Sequence, residues 1–337
     1  MSYNPSEVGK KGSIFGLPYS LEEADLVFVP VHLDATVSYA DGTAKAPDYI
    51  LQESSQLDLS LRSIHNPWEL KMVMYERVVK KSKNEIHRGR AINVINALEN
   101  GKQPDPVERD YVNEFCGEVH ESVEELTSSF LGLGKLVGIV GGDHSSPMGL
   151  IKALGKRSQF GILQVDAHMD LRAAYEGFTY SHASIMYNAL QEEGVISLTQ
   201  VGIRDFCEEE ESMIRDSKKP IHVFYDEDNF SKAQEGVTWK AQCEKIIQTL
   251  PNEVYISFDM DGLDPSLCPK TGTPVPGGLS FNEAVYLLEQ VVKSGKKIIG
   301  FDVCETGRNS WDANVAARVL FRVAALMGVS HNLISFR

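Results

Sequence analysis

The chain has 337 residues, 42% apolar and 24% charged, and carries a formal net charge of −14. That charge argues against nucleic acid or an anionic membrane as a partner and favours attraction of a small cation. The opening MSYNPSEVGKKGSIFG lacks the apolar centre of a secretory leader, no run of about 18 apolar residues is present, and five scattered cysteines form no CxxC pair, so a cytoplasmic protein with reduced thiols is expected.

Taken in chain order, the first β-branched run is LVFVPV (26–31). A polar, largely helical stretch follows from Leu61 to Leu131, broken at Gln103-Pro104-Asp105-Pro106. It is expected to be a helical pair inserted against the main body. Further apolar runs come at KLVGIV (135–140), FGILQVD (160–166), LTQVGIR (198–204), IHVFYD (221–226), EVYISFD (253–259), KIIGFDV (297–303) and NLISF (332–336). Most are nearly continuous rather than alternating, as suits strands buried on both faces of a parallel sheet. Helical patterns separate several of them. SFNEAVYLLEQVVKSG (280–295) begins with Ser280 three residues before Glu283, the capping-box spacing, and DANVAARVLFRVAALMG (312–328) is a second clear helix. Alternation of strand and helix predicts a three-layer αβα fold with right-handed crossovers.

Three of these runs end in residues that bind metals. Gly141-Gly142-Asp143-His144-Ser145 follows the second run, Asp166-Ala167-His168-Met169-Asp170 ends the third, and Asp259-Met260-Asp261-Gly262-Leu263-Asp264-Pro265 ends the sixth. Open α/β sheets place their sites at the carboxyl ends of strands. Residues two apart in extended chain point the same way, so Asp166 and His168, with Asp170, can converge, as can Asp259 and Asp261. Carboxylates crowded together repel unless cations separate them. His144, Asp166, His168, Asp170, Asp259 and Asp261 supply two imidazoles and four carboxylates. That set suits two divalent ions such as Mn²⁺, with Ni²⁺, Co²⁺ and Fe²⁺ sharing the same preferences, and some carboxylates must bridge. It is too rich in oxygen for a structural zinc site.

GGDHS, DAHMD and SFDMDGLDP, in this order, resemble the three metal signatures of the arginase/agmatinase/formiminoglutamase (ureohydrolase) family. VSYADGTAKAP (37–47), YEGFTYSHAS (175–184), VGIRD (201–205) and TPVPGGLS (273–280) are similar to further segments of agmatinases. The resemblance implies a single arginase-like α/β domain over residues 1–337, with an eight-stranded, mainly parallel sheet and 61–131 as a helical insertion. It implies that His144 and Asp170 serve one ion, His168 and Asp261 the other, and that Asp166 and Asp259 bridge. It further implies that metal-activated water attacks a guanidino carbon, that His182 transfers the proton to the leaving amine, and that Glu305 grips the guanidinium. Trimers or hexamers are the family's tendency.

Glu305-Thr306-Gly307-Arg308 stands where the family usually has Glu-Val-Asn/Ser-Pro, and the asparagine-rich loop of arginases is replaced by Asp170-Leu171-Arg172-Ala173-Ala174-Tyr175-Glu176-Gly177. The expected reaction is hydrolysis of agmatine to putrescine and urea. The alternatives are another guanidino or formimino acid (guanidinobutyrate, arginine, formiminoglutamate), with Arg172 or Arg308 pairing its carboxylate, or a non-catalytic ligand-binding relative.

Overall fold

The computed structural model describes residues 3–337. In chain order its strands and helices are β1 (Leu26–Val31), α1 (Ala46–Ser54), β2 (Met72–Met74), α2 (Lys81–Glu99), α3 (Pro106–Gly132), β3 (Leu136–Gly141), α4 (Met148–Gly155), β4 (Phe160–Val165), α5 (Ile185–Gln191), β5 (Val195–Ile203), α6 (Glu208–Asp216), β6 (Ile221–Tyr225), α7 (Asp226–Gln234), α8 (Trp239–Gln248), β7 (Glu253–Asp259), α9 (Phe281–Lys293), β8 (Lys297–Cys304) and α10 (Ser310–Ser330). The eight strands form one sheet in the order β2-β1-β3-β8-β7-β4-β5-β6, every pairing parallel.

The predicted three-layer αβα architecture is present, with one difference among the strands. NLISF (332–336) is not a strand; it lies in turns after α10 and contributes an isolated bridge between Ile64 and Phe336. The eighth strand is β2, inside the stretch expected to be helical. It pairs Met72–Met74 with Leu26–Phe28 of β1. Its brevity has a local cause. Tyr75 donates to the Phe28 carbonyl, so alternate residues of β1 turn their polar groups toward β2. Pro30, two residues on, faces the same side with no N–H to offer, and pairing on that side ends.

Alternate residues of the strands feed two apolar cores. One face of the sheet is covered by α1, α8, α9 and α10, and the other by α2, α3, α4 and α5. The α2–α3 pair is the expected helical pair; α3 packs on α4, β1 and β3. Asp105 caps α3 by accepting from the Val107 N–H at 2.9 Å, and the capping box of α9 forms between Ser280 and Glu283 as its spacing predicts. Helix α10 is long and apolar enough, by composition alone, to cross a membrane; here it packs against α1, α9 and β8 with most of its residues buried.

The chain passes from β3 to β4 by skipping the two positions later filled by β7 and β8. This switch sets β3, β8, β7 and β4 side by side at the centre of the sheet. Their carboxyl ends carry His144, Glu305, Asp259 and Asp166, the residues on which the expected chemistry depends.

Candidate metal centre

The loop after β3 runs very close to the loop after β1. Gly142 donates to the Val31 carbonyl and Asp143 to the Leu33 carbonyl, at 2.9 and 2.7 Å. A Cβ on Gly142 would lie 2.0 Å from the Leu33 oxygen, so only glycine fits there. Asp143, fully buried, accepts from the Ser145 N–H and hydroxyl at 3.0 and 2.6 Å and fixes the turn that presents His144. Burial pushes the Asp143 carboxyl up to about 7.

His144 Nδ1 then lies 3.0 Å from Asp166 Oδ2, 3.0 Å from Asp170 Oδ2 and 3.2 Å from Asp259 Oδ2. Its other nitrogen, Nε2, meets the Ser257 hydroxyl at 2.9 Å. On the far side of Asp166, His168 Nδ1 lies 3.6 Å from Asp166 Oδ1 and 3.1 Å from Asp261 Oδ2. All six predicted ligands therefore come together. They form two groups, His144–Asp166–Asp259 and Asp166–His168–Asp261, whose donor atoms lie within 4.8 Å of one another, and Asp170 joins the first through His144. Asp166 belongs to both groups. Asp259, expected to bridge as well, is placed like Asp166: each turns Oδ2 to His144 while its Oδ1 accepts from the backbone N–H two residues on, Asp261 at 2.8 Å and His168 at 2.7 Å.

The donor set fits divalent cations. His144 Nδ1 is buried without a hydrogen-bond partner, among three carboxylate oxygens. Burial, together with the neighbouring Asp261 and Asp166, holds the Asp259 carboxyl well above the usual range, and burial with Asp166 raises Asp170 to about 7. Four buried carboxylates arranged this way need positive charge between them, and oxygen with imidazole is the ligand chemistry of Mn²⁺ and its neighbours.

The surrounding backbone is strained where it serves these groups. Asp170 and Glu305 both sit in the left-handed region, at φ 55° and 57°. The Asp170 carbonyl accepts from Met186 and Tyr187 at the start of α5, each at 3.1 Å, which pins the ligand loop to that helix. Glu305 is buried beneath the His144 loop. Its Oε1 accepts from the His144 N–H at 2.9 Å, and its Oε2 is buried with no partner.

Over the two groups lies a cavity of about 160 Å³ whose lining includes His168, Asp170, Arg172, His182, Asp205 and Thr273. His182 begins the turn before α5 and stands edge-on to Tyr175, ring centres 6.1 Å apart. Burial, then the neighbouring His168 and His144, push its imidazole down to about 3. Arg172 lies over the Tyr175 ring at 4.6 Å, with Nε 3.7 Å from Glu210 Oε2. Arg308 faces away: it pairs with Asp41 at 3.8 Å and lines a different cavity.

Residue spacing alone could have found two supporting residues that the motifs do not name. Gln164 and Ser257 each precede a ligand aspartate by two positions on a strand, so they share its face. Gln164 Nε2 donates to Asp166 Oδ2 at 2.7 Å, and Ser257 orients His144. Arg204 had no such signal. Its guanidinium reaches the Asp261 carbonyl at 2.7 Å from the end of β5.

The family model described as "Arginase family" matches residues 24–325. The chain is 33% identical over 321 residues to an N(1)-aminopropylagmatine ureohydrolase of Thermus thermophilus, covering 94% of each chain. Among solved structures it resembles the agmatine ureohydrolase of Thermoplasma volcanium, with 25% identity, a TM-score of 0.71 and 96% of each chain covered. Trypanosoma cruzi formiminoglutamase, at 17% identity and a TM-score of 0.71 over 94% of this chain and 98% of that one, shares the fold.

Proposed function

This chain belongs to the arginase family and is a hydrolase of the ureohydrolase type, and on that premise we propose that it releases urea from a linear guanidine with an amine tail, agmatine in the simplest case. The Thermus relative is named for agmatine carrying an aminopropyl group, so the reading extends to that longer polyamine.

The observation that carries it is the disposition of the two arginines. A substrate ending in a carboxylate needs a free cation to receive it. Arg308 is turned to Asp41, outside the catalytic cavity, and Arg172 is held by Glu210 and Tyr175. Asp205, two-thirds exposed at the wall of the cavity and 3.7 Å from His168 Nε2, offers a carboxylate to a cationic tail.

Two divalent ions, when bound, would supply an activated water and stabilise the negative charge on its attacking oxygen. His144 and Asp170 would hold one, His168 and Asp261 the other, and Asp166 and Asp259 both. Ser257 and Gln164 keep His144 and Asp166 aimed. Glu305 offers its free Oε2 to guanidinium N–H groups from below. His182, at the cavity wall, would take the proton released as water adds to the guanidino carbon and pass it to the leaving amine, a relay rather than a stored acid.

A urea-release assay on agmatine, N(1)-aminopropylagmatine, 4-guanidinobutyrate, arginine and formiminoglutamate, with and without Mn²⁺, tests the reading. Metal-dependent turnover should be highest on the amine-tailed guanidines. A preference for an acid overturns the substrate assignment, and no turnover on any of them overturns the enzymatic one.

A further inference from the structure

A larger cavity, about 510 Å³, lies beyond the carboxyl end of β6, walled by α7, α8, the start of α9 and the 276–279 loop. It does not share the catalytic cavity's lining, and the ureohydrolase reaction gives it no role. Four carboxylates face it: Asp226, Glu227, Asp264 and Glu283. Asp226 Oδ2 accepts from the Gly278 N–H, Asp264 Oδ1 from Ser266 and Glu283 Oε2 from Ser280. Each of these three has a second oxygen left over, and none of the four is in an ion pair among the described residues. Arg204 is the one basic residue among the described lining. Its donors are directed at backbone carbonyls of Gly202, Asp261, Leu263, Val275 and Pro276.

Two further side chains point to a ligand independently of the charge. Asn229 and Gln242 line the same cavity and are only 6% and 5% exposed. The Asn229 amide nitrogen faces the Phe224 carbonyl, and that of Gln242 faces the carbonyls of Asn229 and Val237. Flipping the Gln242 amide would set its oxygen against two carbonyls, at 3.1 and 3.4 Å, so its orientation is fixed by its neighbours; the Asn229 contact is longer, 3.5 Å. Both amide oxygens are buried without a partner. Buried acceptors of this kind are nearly always satisfied, so a missing donor is implied. Trp239, Leu279 and the exposed ring of Phe230 complete the wall with aromatic and apolar surface.

Dispersed carboxylates, two orphan acceptors and two aromatic rings define the ligand's chemistry. It must carry several N–H donors, positive charge at more than one point, and an apolar stretch between them. A metal ion does not fit, because the only tight ligand groups among the described residues are those at the catalytic site. We propose that this cavity binds an aliphatic diamine or polyamine, its ammonium groups on the carboxylates and amide oxygens and its methylenes along Trp239 and Phe230. Arg204 forms part of the wall and also donates to the Asp261 carbonyl, so the site is in contact with the end of β7. The proposal does not depend on which guanidine is the substrate.

The test is titration calorimetry of the metal-loaded protein with spermidine and with 1-butylamine. The variants are Glu227→Gln/Phe230→Ala, which removes charge and ring at exposed positions, and Ala233→Trp, which fills the cavity from α7. Urea release from agmatine without added spermidine is followed for each and should stay at the wild-type level, which separates this site from the catalytic one. Wild type should bind spermidine more tightly than 1-butylamine, and both variants should weaken spermidine binding by roughly tenfold or more, as expected when an ammonium loses its charged and aromatic partners. Equal spermidine affinity in wild type and both variants, absence of a spermidine binding event, or displacement of spermidine by equimolar Ca²⁺ would each overturn the proposal.

Discussion

Gln164 and Asp166 are joined by a buried hydrogen bond, Nε2 to Oδ2 at 2.7 Å, and Gln200 extends the chain by donating to Gln164 Oε1 at 2.6 Å. The two glutamines are register partners on β4 and β5, so the sheet itself aims the carboxylate. Outer partners of metal ligands typically change affinity by about 10–100-fold when removed. Gln164→Leu should keep the fold, since it is close in volume, and lower metal affinity by about that factor. Titration of metal-free protein with Mn²⁺ measures this; unchanged affinity would reduce Gln164 to a packing residue.

Asp166 is common to both groups, and Asp259, the other carboxylate expected to bridge, stands beside it at His144; each turns its Oδ1 to the backbone N–H two residues on. The two aspartates should therefore act alike. Asp166→Ala and Asp259→Ala should each cost more bound metal than loss of a ligand to one ion alone. Elemental analysis after reconstitution gives the stoichiometry. Two ions per chain in Asp166→Ala, or one per chain in a fully active wild type, contradicts the two-metal reading.

The convergence of the six candidate ligands could be read in the sequence because strand periodicity and strand-end location both act locally: a DxH or DxD at the end of a buried run has few other ways to point. Topology was less legible. NLISF has the composition of a strand, yet it follows the long helix α10 and makes only an isolated bridge from Phe336 to Ile64, while MVM, embedded in polar surroundings, pairs because β1 offers it three residues of edge before Pro30. Short edge strands are made by their neighbours rather than by their own pattern. The direction of Arg308 was equally illegible, because it depends on Asp41, far away in sequence.

His182 lines the catalytic cavity without joining either ligand group, and its imidazole is kept neutral. His182→Ala should leave both ions bound and reduce kcat by roughly 10²-fold or more, the scale of a lost acid–base group. Elemental analysis and steady-state kinetics on the same preparation separate the two effects. Wild-type kcat in the variant would make His182 an ordinary wall residue.

The two arginines carry the decision on substrate charge. Arg308 is about half exposed and paired with Asp41 outside the catalytic cavity, so Arg308→Ala should change kcat/KM for agmatine and for 4-guanidinobutyrate equally little. Arg172 lines the cavity, and its charge is balanced by Glu210, whose carboxylate also accepts from the Leu171 and Cys207 N–H groups. Removing Arg172 leaves that acid uncompensated beside the substrate. Arg172→Ala should therefore favour a cationic tail still further, raising the ratio of kcat/KM for agmatine over 4-guanidinobutyrate. An arginine that received a substrate carboxylate would behave differently in wild type: the acid would be the better substrate, and losing the arginine would cost about 1–3 kcal/mol for the unpaired charge. Wild-type preference for 4-guanidinobutyrate that Arg172→Ala or Arg308→Ala abolishes would reassign the enzyme to guanidino acids.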